Sequence, residues 1–224
     1  LGIDSLIVLG GDGSFRGLHQ FYKDFGIKFC GIPSTIDNDI NGTEYCLGVD
    51  TALNIIKVAI DSIRDTASSF KRAFVIETMG RDCGYLALIT ALTSGAEMCL
   101  IPEVEYNLAD YEKKFKKEIE DGRTYFIAIV AEGIKQDSSE IAKWFEETIG
   151  MEARVNVLGH MQRGGNPSIY DRLMAYKFVN YAVDALLKNQ NESVVCYTKK
   201  GFVYKNIDEV TKPYRLDTEL IKSL

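Results

Sequence analysis

The sequence lacks the features by which membrane-spanning, secreted and nucleic-acid-binding proteins are usually recognised. It contains no run of about 18 apolar residues, the length that a membrane-spanning helix needs. Residues 1–11 carry neither a basic flank nor a small-residue cleavage site, so no secretory signal is predicted. The 26 lysines and arginines are outnumbered by 32 aspartates and glutamates, and the net charge of −6 offers no overall attraction to nucleic acid or an anionic membrane.

Cysteine is scarce, and proline-rich or serine-rich linkers, low-complexity tracts and internal repeats are missing. The five cysteines are widely spaced, form no CxxC pair and have no histidine at metal-binding spacing. We therefore expect reduced, mostly structural thiols in a cytoplasmic protein. With 46% hydrophobic and 26% charged residues, the composition is that of a globular chain with a large core, which excludes disorder, collagen and coiled coil.

Short apolar runs alternate with amphipathic stretches, which is typical of a doubly wound α/β fold with mostly parallel sheets. The runs predict strands at 6–10, 28–31, 72–77, 98–101, 125–131, 153–158 and 193–198. Apolar spacing of three and four residues predicts helices at 14–25, 50–68, 85–94, 108–121, 138–149 and 168–187. In the second helix the apolar face is predicted to contain Leu53, Ile56, Val58, Ile60 and Ile63.

Polar loops that contain glycine follow the predicted strands, where open α/β sheets bind ligands. Residues 10–14, Gly-Gly-Asp-Gly-Ser, lie between a strand and a helix, so their amides can bind phosphate. Asp12 would repel a phosphate unless Mg²⁺ lay between them. The alternative is an ordinary tight turn with an aspartate cap.

The next loop, residues 35–39, contains two carboxylates two residues apart. If the segment is extended, Asp37 and Asp39 project the same way and could divide general-base and metal-binding roles. A solvated turn with capping side chains is the alternative. Because this loop comes one βα unit after Asp12, we expect the two loops at neighbouring strand ends.

Two further loops carry cations that suit a phosphorylated ligand. In residues 79–84, Arg81 precedes a helix N-terminus, where it could stabilise charge on a transferring phosphoryl group. The alternative for this residue is a surface ion pair with Asp82. In residues 159–165, His160 and Arg163 lie between glycines and could bind a phosphate monoester, although a lone histidine in a loop is more often structural.

Taken together, GGDGS, PSTIDND, ETMGRDCGYLA, VAEG and LGHMQRGGNPSIYDR resemble, in this order, the phosphofructokinases. The resemblance covers the whole chain, residues 1–224, except that the family's N-terminal segment with its first nucleotide loop is missing. It implies a two-lobed fold, with residues 1 to about 40 and a later return segment on the nucleotide side. It also implies phosphoryl transfer from ATP to the 1-hydroxyl of fructose 6-phosphate, in a cytoplasmic homo-oligomer that is usually a tetramer in bacteria.

The family's roles transfer to matching positions of this sequence. Asp37 would be the base, Thr35 would contact the transferring phosphate, and Arg81 would stabilise its charge. Asp12 and Asp39 would bind Mg²⁺. The ATP-binding residues would be Gly11, Asp12, Gly13, Ser14 and Gly17. The substrate-binding residues would be Thr35, Asp37, Met79, Gly80, Arg81, Glu132, His160 and Arg163, with Arg72 and Arg154 reaching the 6-phosphate from a neighbouring subunit.

The resemblance also bears on the phosphoryl donor and on regulation. ATP-dependent members carry glycine at the position of Gly13, whereas pyrophosphate-dependent members carry aspartate there. Ser34 departs from both groups, which usually have glycine and lysine respectively, and the missing lysine favours ATP. Arg64, Glu97 and Arg123 match the positions where bacterial relatives bind a regulatory nucleotide or phosphoenolpyruvate, with ordinary surface ion pairs as the alternative.

Three alternatives stay open at this point. A pyrophosphate-dependent phosphofructokinase would share most of these motifs. NAD kinases and diacylglycerol-type lipid kinases also have a GGDG loop after a strand, but they lack the GHMQRGG and MGRDCGY segments. The chain could also bind sugar phosphates or an effector without catalysis, because the first nucleotide loop is absent.

Overall fold

The computed structural model describes residues 2–223. The strands are β1 (Ser5–Gly10), β2 (Lys28–Pro33), β3 (Ala73–Thr78), β4 (Met98–Leu100), β5 (Phe126–Ala131), β6 (Ala153–Val157), β7 (Ser193–Thr198) and β8 (Gly201–Asn206). The helices are α1 (Asp12–Phe25), α2 (Val49–Phe70), α3 (Tyr85–Ser94), α4 (Leu108–Glu120), α5 (Ser138–Trp144), α6 (Ile169–Leu187), α7 (Ile207–Val210) and α8 (Thr218–Ile221). A π-helical turn (Phe145–Ile149) and a 3₁₀ turn (Gly159–Arg163) complete the elements.

The chain divides into two compact units. Unit 1 consists of Leu1–Thr51 and Asn166–Arg215, and unit 2 consists of Ala52–Gly165 and Leu216–Leu224. Each unit has one four-stranded sheet, in the order β1-β2-β7-β8 in unit 1 and β4-β5-β3-β6 in unit 2. Every strand pair is parallel except the β7–β8 hairpin, so the predicted fold class of mostly parallel α/β sheets is confirmed.

In unit 1, a buried carboxylate connects the start of α6 to the start of α2. Asp171 is 4% exposed, and its Oδ1 accepts hydrogen bonds from the Tyr45 hydroxyl at 2.5 Å and from the Gly48 amide at 2.7 Å. Its Oδ2 accepts a hydrogen bond from the Thr51 amide at 2.9 Å and another from the Thr51 hydroxyl. The Ser168 side chain caps α6 by accepting from the Asp171 amide. These bonds anchor the long segment that follows β2 to the rest of unit 1.

In unit 2, an aromatic cluster packs α4 and the π-helical turn against the sheet. The Phe115 ring stacks on Phe126 and Phe145, with centroid separations of 4.3 and 5.6 Å. All three side chains are fully buried. Trp144 contacts Phe145 edge to face and packs against this cluster. The sheet that positions the loops of unit 2 therefore rests on a rigid base.

Most predicted elements lie within two residues of their observed bounds, and β7 and α3 match their predicted ranges. The prediction missed β8, the short helices α7 and α8, and the change from α5 to a π-helical turn at Phe145. Val58 is 62% exposed, so its place on the buried face of α2 was predicted wrongly. Between residues 2 and 223, no helix has the length and apolar character that crossing a membrane requires.

Candidate active site

In unit 1, the loops that follow β1 and β2 lie side by side. The two strands pair in parallel, with Gly10 opposite Pro33, and the Ser34 amide donates to the Gly10 carbonyl at 2.9 Å. A Cβ on Gly11 would lie 3.4 Å from the Thr35 Cβ, so these residues are in contact distance. The expectation that the two loops occupy neighbouring strand ends is confirmed.

The glycine-rich loop runs directly into α1. Gly11 is the N-cap and Asp12 the first helical residue, two positions earlier than predicted. A carboxylate in the first turn is favoured by the helix dipole, and Asp12 Oδ1 also accepts a 2.9 Å hydrogen bond from the Arg16 Nε. Gly13 and Ser14 are exposed, and a Cβ on Gly13 or Gly17 would meet no atom within 4 Å. The N-terminal turn of α1 is therefore open on the side of these glycines.

The segment that carries Asp37 and Asp39 is bent, so the condition under which the two carboxylates would project the same way is not met. Asn38, between the two aspartates, has a φ of 54° and is 1% exposed. Its Nδ2 donates to the Glu44 carbonyl at 3.2 Å, and its Oδ1 accepts from the Cys46 amide at 2.9 Å. The Asp37 amide donates to the Thr35 Oγ1 at 3.2 Å, and the Asp37 side chain is buried. The orientation of both carboxylates thus depends on the buried Asn38 amide.

In unit 2, the loop between β3 and α3 has its main-chain amides bound by side chains. The Met79 amide donates to Gln162 Oε1 at 3.2 Å, and the Gly80 and Arg81 amides donate to Glu132 Oε1 at 3.1 and 2.7 Å. The Gly84 amide donates to Glu103 Oε1 at 2.8 Å. Because Glu103 occupies the N-terminus of α3, this helix end is not the open anion site that the sequence suggested.

The same loop is held in an uncommon backbone conformation. Arg81 has a φ of 53° although it is not glycine, and Gly80 has a φ of 144°. The Gly133 backbone lies so close to the loop that a Cβ on Gly133 would be 2.2 Å from the Arg81 carbonyl oxygen. Such backbone strain persists only where surrounding contacts over-determine the conformation, and it is common in functional loops. The positive charge of this loop is that of the exposed Arg81 side chain.

His160 and Arg163 belong to the 3₁₀ turn that follows β6. Residues three apart share one face of a 3₁₀ helix, so the two side chains lie on the same side of the turn. Both are exposed, whereas Gln162 between them is 1% exposed. The structure therefore brings together the two side chains that were expected to bind one phosphate.

Arg72 and Arg154 lie at the opposite end of the same sheet, where β3 and β6 begin. Arg72 precedes β3 and its Nε is 2.7 Å from Glu152 Oε2, while Arg154 in β6 pairs with Glu152 Oε1. The strand length separates them from the His160 turn by roughly 17–20 Å. Within one chain, the structure does not bring these arginines to His160 and Arg163.

The residues matched to an effector site make contacts within unit 2. Arg123 Nη1 is 2.5 Å from Glu97 Oε1 and its Nε is 2.8 Å from Glu118 Oε2, while Arg64 donates to the Ser94 carbonyl. A cleft of about 550 Å³ beside Arg123 is lined by Glu118, Asp121, Gly122, Arg123, Thr124 and Tyr125. Arg123 is thus paired with two glutamates, and the side chain of one of them, Glu97, is only 8% exposed.

The residues suited to a metal are few. Among residues 2–223, no group of three or more histidine, cysteine, aspartate or glutamate side chains could hold an ion. Asp12 and Asp39 lie on the two adjacent loops of unit 1 and offer carboxylate oxygens. Mg²⁺ commonly binds one or two carboxylates together with substrate phosphates, so this donor set fits Mg²⁺ that arrives with a nucleotide.

The cysteines of this chain lie in the protein interior. All five cysteines are buried free thiols. Burial raises the pKa of the Cys99 thiol to about 12, with a smaller contribution from nearby Glu103, and burial likewise raises the pKa of Cys196 to about 12. Thiols with such pKa values are protonated near neutral pH and are poor nucleophiles.

Four residues that organise the site were missed by sequence reasoning. They are Asn38, Glu103, Glu152 and Gln162; Asn38 bonds within its own loop, and the other three act through partners on other loops. Asn38 and Gln162 lie inside motifs that had been noticed, and a polar amide next to charged residues was the available signal. Nothing local distinguishes Glu103 or Glu152 from ordinary surface glutamates.

Comparisons with known proteins match this chain to one family. The family model described as phosphofructokinase matches residues 1–186. The chain is 72% identical to the ATP-dependent 6-phosphofructokinase of Sulfurimonas denitrificans, over 100% of this chain and 70% of that protein. It is 62% identical to the enzyme of the same name from Sulfurovum sp., over 98% of this chain and 68% of that protein.

Solved structures show the same fold. Phosphofructokinase from Saccharomyces cerevisiae matches with a TM-score of 0.90 and 29% identity, covering 99% of this chain and 36% of that chain. A pyrophosphate-dependent phosphofructokinase from Marinobacter aquaeolei matches with a TM-score of 0.80 and 20% identity, covering 97% of this chain and 62% of that chain, and supports the fold alone. The family model, the curated relatives and the shared fold agree, and this chain belongs to the phosphofructokinase family.

Proposed function

We propose that the protein transfers a phosphoryl group from ATP to the 1-hydroxyl of fructose 6-phosphate, giving fructose 1,6-bisphosphate and ADP. The observation that carries the proposal is the contact distance between Gly11, at the N-cap of α1, and Thr35. It places the buried carboxylate of Asp37, two residues after Thr35, on the loop adjacent to a helix N-terminus suited to phosphate. A base beside a phosphate-binding turn is what a kinase requires.

In this reaction Asp37 accepts the proton of the sugar hydroxyl while the hydroxyl oxygen bonds to the γ-phosphorus. The bond from that phosphorus to the bridging oxygen breaks, and ADP leaves with the electron pair. Thr35 contacts the transferring phosphoryl group, and the Arg81 guanidinium compensates its charge. Positioning and electrostatic stabilisation supply most of the rate enhancement in such transfers, so no nucleophilic side chain is needed.

The glycine-rich loop would bind the donor through Gly11, Asp12, Gly13, Ser14 and Gly17. Open space at Gly13 supports ATP, because a larger nucleotide can approach the backbone there. The names of the bacterial relatives support the same choice. Asp12 and Asp39 would hold Mg²⁺, which neutralises phosphate charge when bound.

Unit 2 would bind the sugar phosphate. Met79, Gly80 and Glu132 would line the sugar, with Glu132 Oε2 as the oxygen for a sugar hydroxyl because Oε1 accepts the Gly80 and Arg81 amides. His160 and Arg163 would bind the 6-phosphate from their shared face.

The arginines that lie away from the His160 turn concern assembly and regulation. Because Arg72 and Arg154 lie at the far end of the unit 2 sheet, they would serve the 6-phosphate site of a neighbouring subunit in a homo-oligomer, and a tetramer is the expected form. Arg64, Glu97 and Arg123 would take part in effector binding, although Arg123 alone of the three lines the neighbouring cleft. We further propose that residues 1–224 form one phosphofructokinase domain working in the cytoplasm, as the buried free thiols suggest.

The test is a turnover assay of the full chain with fructose 6-phosphate and Mg²⁺, in which ATP and pyrophosphate are offered separately. We expect fructose 1,6-bisphosphate with ATP only, and its loss in Asp37→Asn, which also controls for contaminating enzyme. Product with pyrophosphate only would replace the proposed donor. Binding of fructose 6-phosphate without turnover by either donor would show a non-catalytic binder instead.

A further inference from the structure

Gln162 is the buried member of the 3₁₀ turn that carries His160 and Arg163. Its side chain is 1% exposed, while Met161 next to it is 67% exposed. A buried amide must satisfy its donor and acceptor inside the protein. Gln162 does so by linking two loops of unit 2.

The carboxamide of Gln162 donates at one end and accepts at the other. Its Oε1 accepts from the Met79 amide at 3.2 Å, and its Nε2 donates to the Gly159 carbonyl at 3.1 Å. Both bonds are satisfied in only one orientation of the amide. Glutamate would keep the acceptor but lose the donor, and methionine, which has a similar shape, would lose both.

The partner on the other loop is the first residue beyond β3. The ladder between β3 and β5 ends at Thr78, and the next three amides, those of Met79, Gly80 and Arg81, turn to the side chains of Gln162 and Glu132. Met79 is buried, so an unpaired amide there would be destabilising. Gln162 therefore fixes the position of the first residue of the loop that carries Arg81.

This contact adds little to the attachment of β6 to β3. The Leu158 amide already donates to the Glu77 carbonyl at 3.1 Å, which extends the strand ladder up to the 3₁₀ turn. The Gln162 bond instead fixes the distance between two loops that lie beyond the end of that ladder.

We propose that Gln162 is a positioning residue that sets the spacing between the phosphate-binding face of His160 and Arg163 and the loop that presents Arg81. This inference rests on the function proposed above and deepens it. Because one end of the substrate would be bound by the 3₁₀ turn and the reacting end stabilised by Arg81, an error in this spacing weakens binding and slows transfer together.

The test compares Gln162→Met and Gln162→Glu with the unmodified chain. For Gln162→Met, which loses both buried hydrogen bonds, we expect the KM for fructose 6-phosphate to rise about tenfold and kcat to fall about tenfold. The KM for ATP should stay within about twofold, because the proposed ATP-binding residues belong to unit 1. Gln162→Glu retains the acceptor for Met79 but turns a buried carboxylate oxygen to the Gly159 carbonyl, so it should show the same changes.

Phe115→Leu is the matched control, because it weakens the core of the same unit without touching either loop. It should lower Tm and leave the KM for fructose 6-phosphate unchanged. Hydrogen exchange supplies a readout independent of turnover: the Met79 amide should exchange faster in Gln162→Met, while the amides of β5 should not.

Two results would overturn the inference. One is an unchanged KM for fructose 6-phosphate in Gln162→Met, with only a lower Tm as in Phe115→Leu; if Gln162→Met does not fold, an unchanged KM in Gln162→Glu decides the matter in the same way. The other is unchanged exchange of the Met79 amide. Absence of turnover and of sugar-phosphate binding in the unmodified chain is a separate result, which would overturn the proposed function and this inference with it.

Discussion

The side chain of Glu132 accepts a hydrogen bond of 2.7 Å from the main-chain amide of Arg81, 51 residues earlier in the sequence. The same oxygen accepts a second bond from Gly80 at 3.1 Å. One carboxylate oxygen thus fixes the backbone of the residue whose side chain carries the positive charge of this loop. The proposed sugar-binding residue and the proposed phosphoryl-stabilising residue are therefore coupled through the backbone.

Replacing Glu132 should affect both functions. Glu132→Leu removes the acceptor of two amides and the oxygen proposed to bind the sugar, so we expect kcat/KM for fructose 6-phosphate to fall by about 100-fold or more. Glu132→Gln keeps an acceptor oxygen and should lose less. Steady-state kinetics with varied fructose 6-phosphate measures both values, and equal losses in the two variants would contradict the role of the backbone contact.

Gly133→Ala should displace the Arg81 loop. The added methyl group would lie 2.2 Å from the Arg81 carbonyl oxygen, so the loop or the Gly133 backbone must move. We expect kcat to fall at least about tenfold. Gly150→Ala is the matched control: it has a φ of 77° and open space around it, so it should cost about 1 kcal/mol of stability and leave kcat unchanged. Unchanged kcat in Gly133→Ala would show that the position of Arg81 matters little.

Gly13→Asp should weaken ATP binding. The position opens to free space beside the first turn of α1, and a carboxylate there would repel the phosphates of a bound nucleotide. We expect the KM for ATP to rise about tenfold or more, with the KM for fructose 6-phosphate changed by less than about twofold. Gly13→Ala adds volume without charge, so comparison of the two variants separates the effect of volume on ATP binding from the effect of charge. Faster turnover with ATP in Gly13→Asp would contradict the proposed site.

Asp171→Asn should destabilise unit 1. The buried carboxylate accepts four hydrogen bonds, and an asparagine NH₂ group would face a donor in either orientation. We expect the free energy of unfolding to fall by about 2–4 kcal/mol in urea denaturation. The exposed pair of Asp184 and Lys188 provides the control, because Asp184→Asn should change stability by less than about 0.5 kcal/mol.

Stability should fall at alkaline pH. The thiols of Cys99 and Cys196 have their pKa raised from 9.0 to about 12 by burial, and burial also raises the pKa of Tyr45, with a further contribution from Asp171. Above pH 9 the unfolded chain therefore releases protons that the folded chain keeps, so the free energy of unfolding decreases as pH rises from 9 towards 12. The double variant Cys99→Ala with Cys196→Ala should show a smaller decrease in urea titrations at pH 7, 9 and 10.5, and an equal decrease would contradict this origin.

Local sequence patterns were sufficient to predict the order of most strands and helices. They were also sufficient to identify the loops that contain the candidate functional residues. Buried parallel strands such as β5 are continuous apolar runs, and amphipathic helices such as α4 show their periodicity directly. Parallel strands also place the loops after neighbouring strands together, so the proximity of Gly11 and Thr35 followed from the order of the motifs. The hairpin strand β8 was missed because it is only half-buried and its residues, GFVYKN, mix polar with apolar side chains instead of forming a continuous apolar run.

The sequence by itself determined the α/β class, the strand-end loops and the residue types in them, because these depend on periodicities and turns that span a few neighbouring residues. Only the tertiary structure decided which groups hold those loops in place. Met79 and Gln162 are separated by 83 residues, and Asn38 bends its segment through Cys46, a partner that no local pattern identifies. Such contacts are set by the packing of whole strands and helices, and that packing lies beyond the reach of local periodicity.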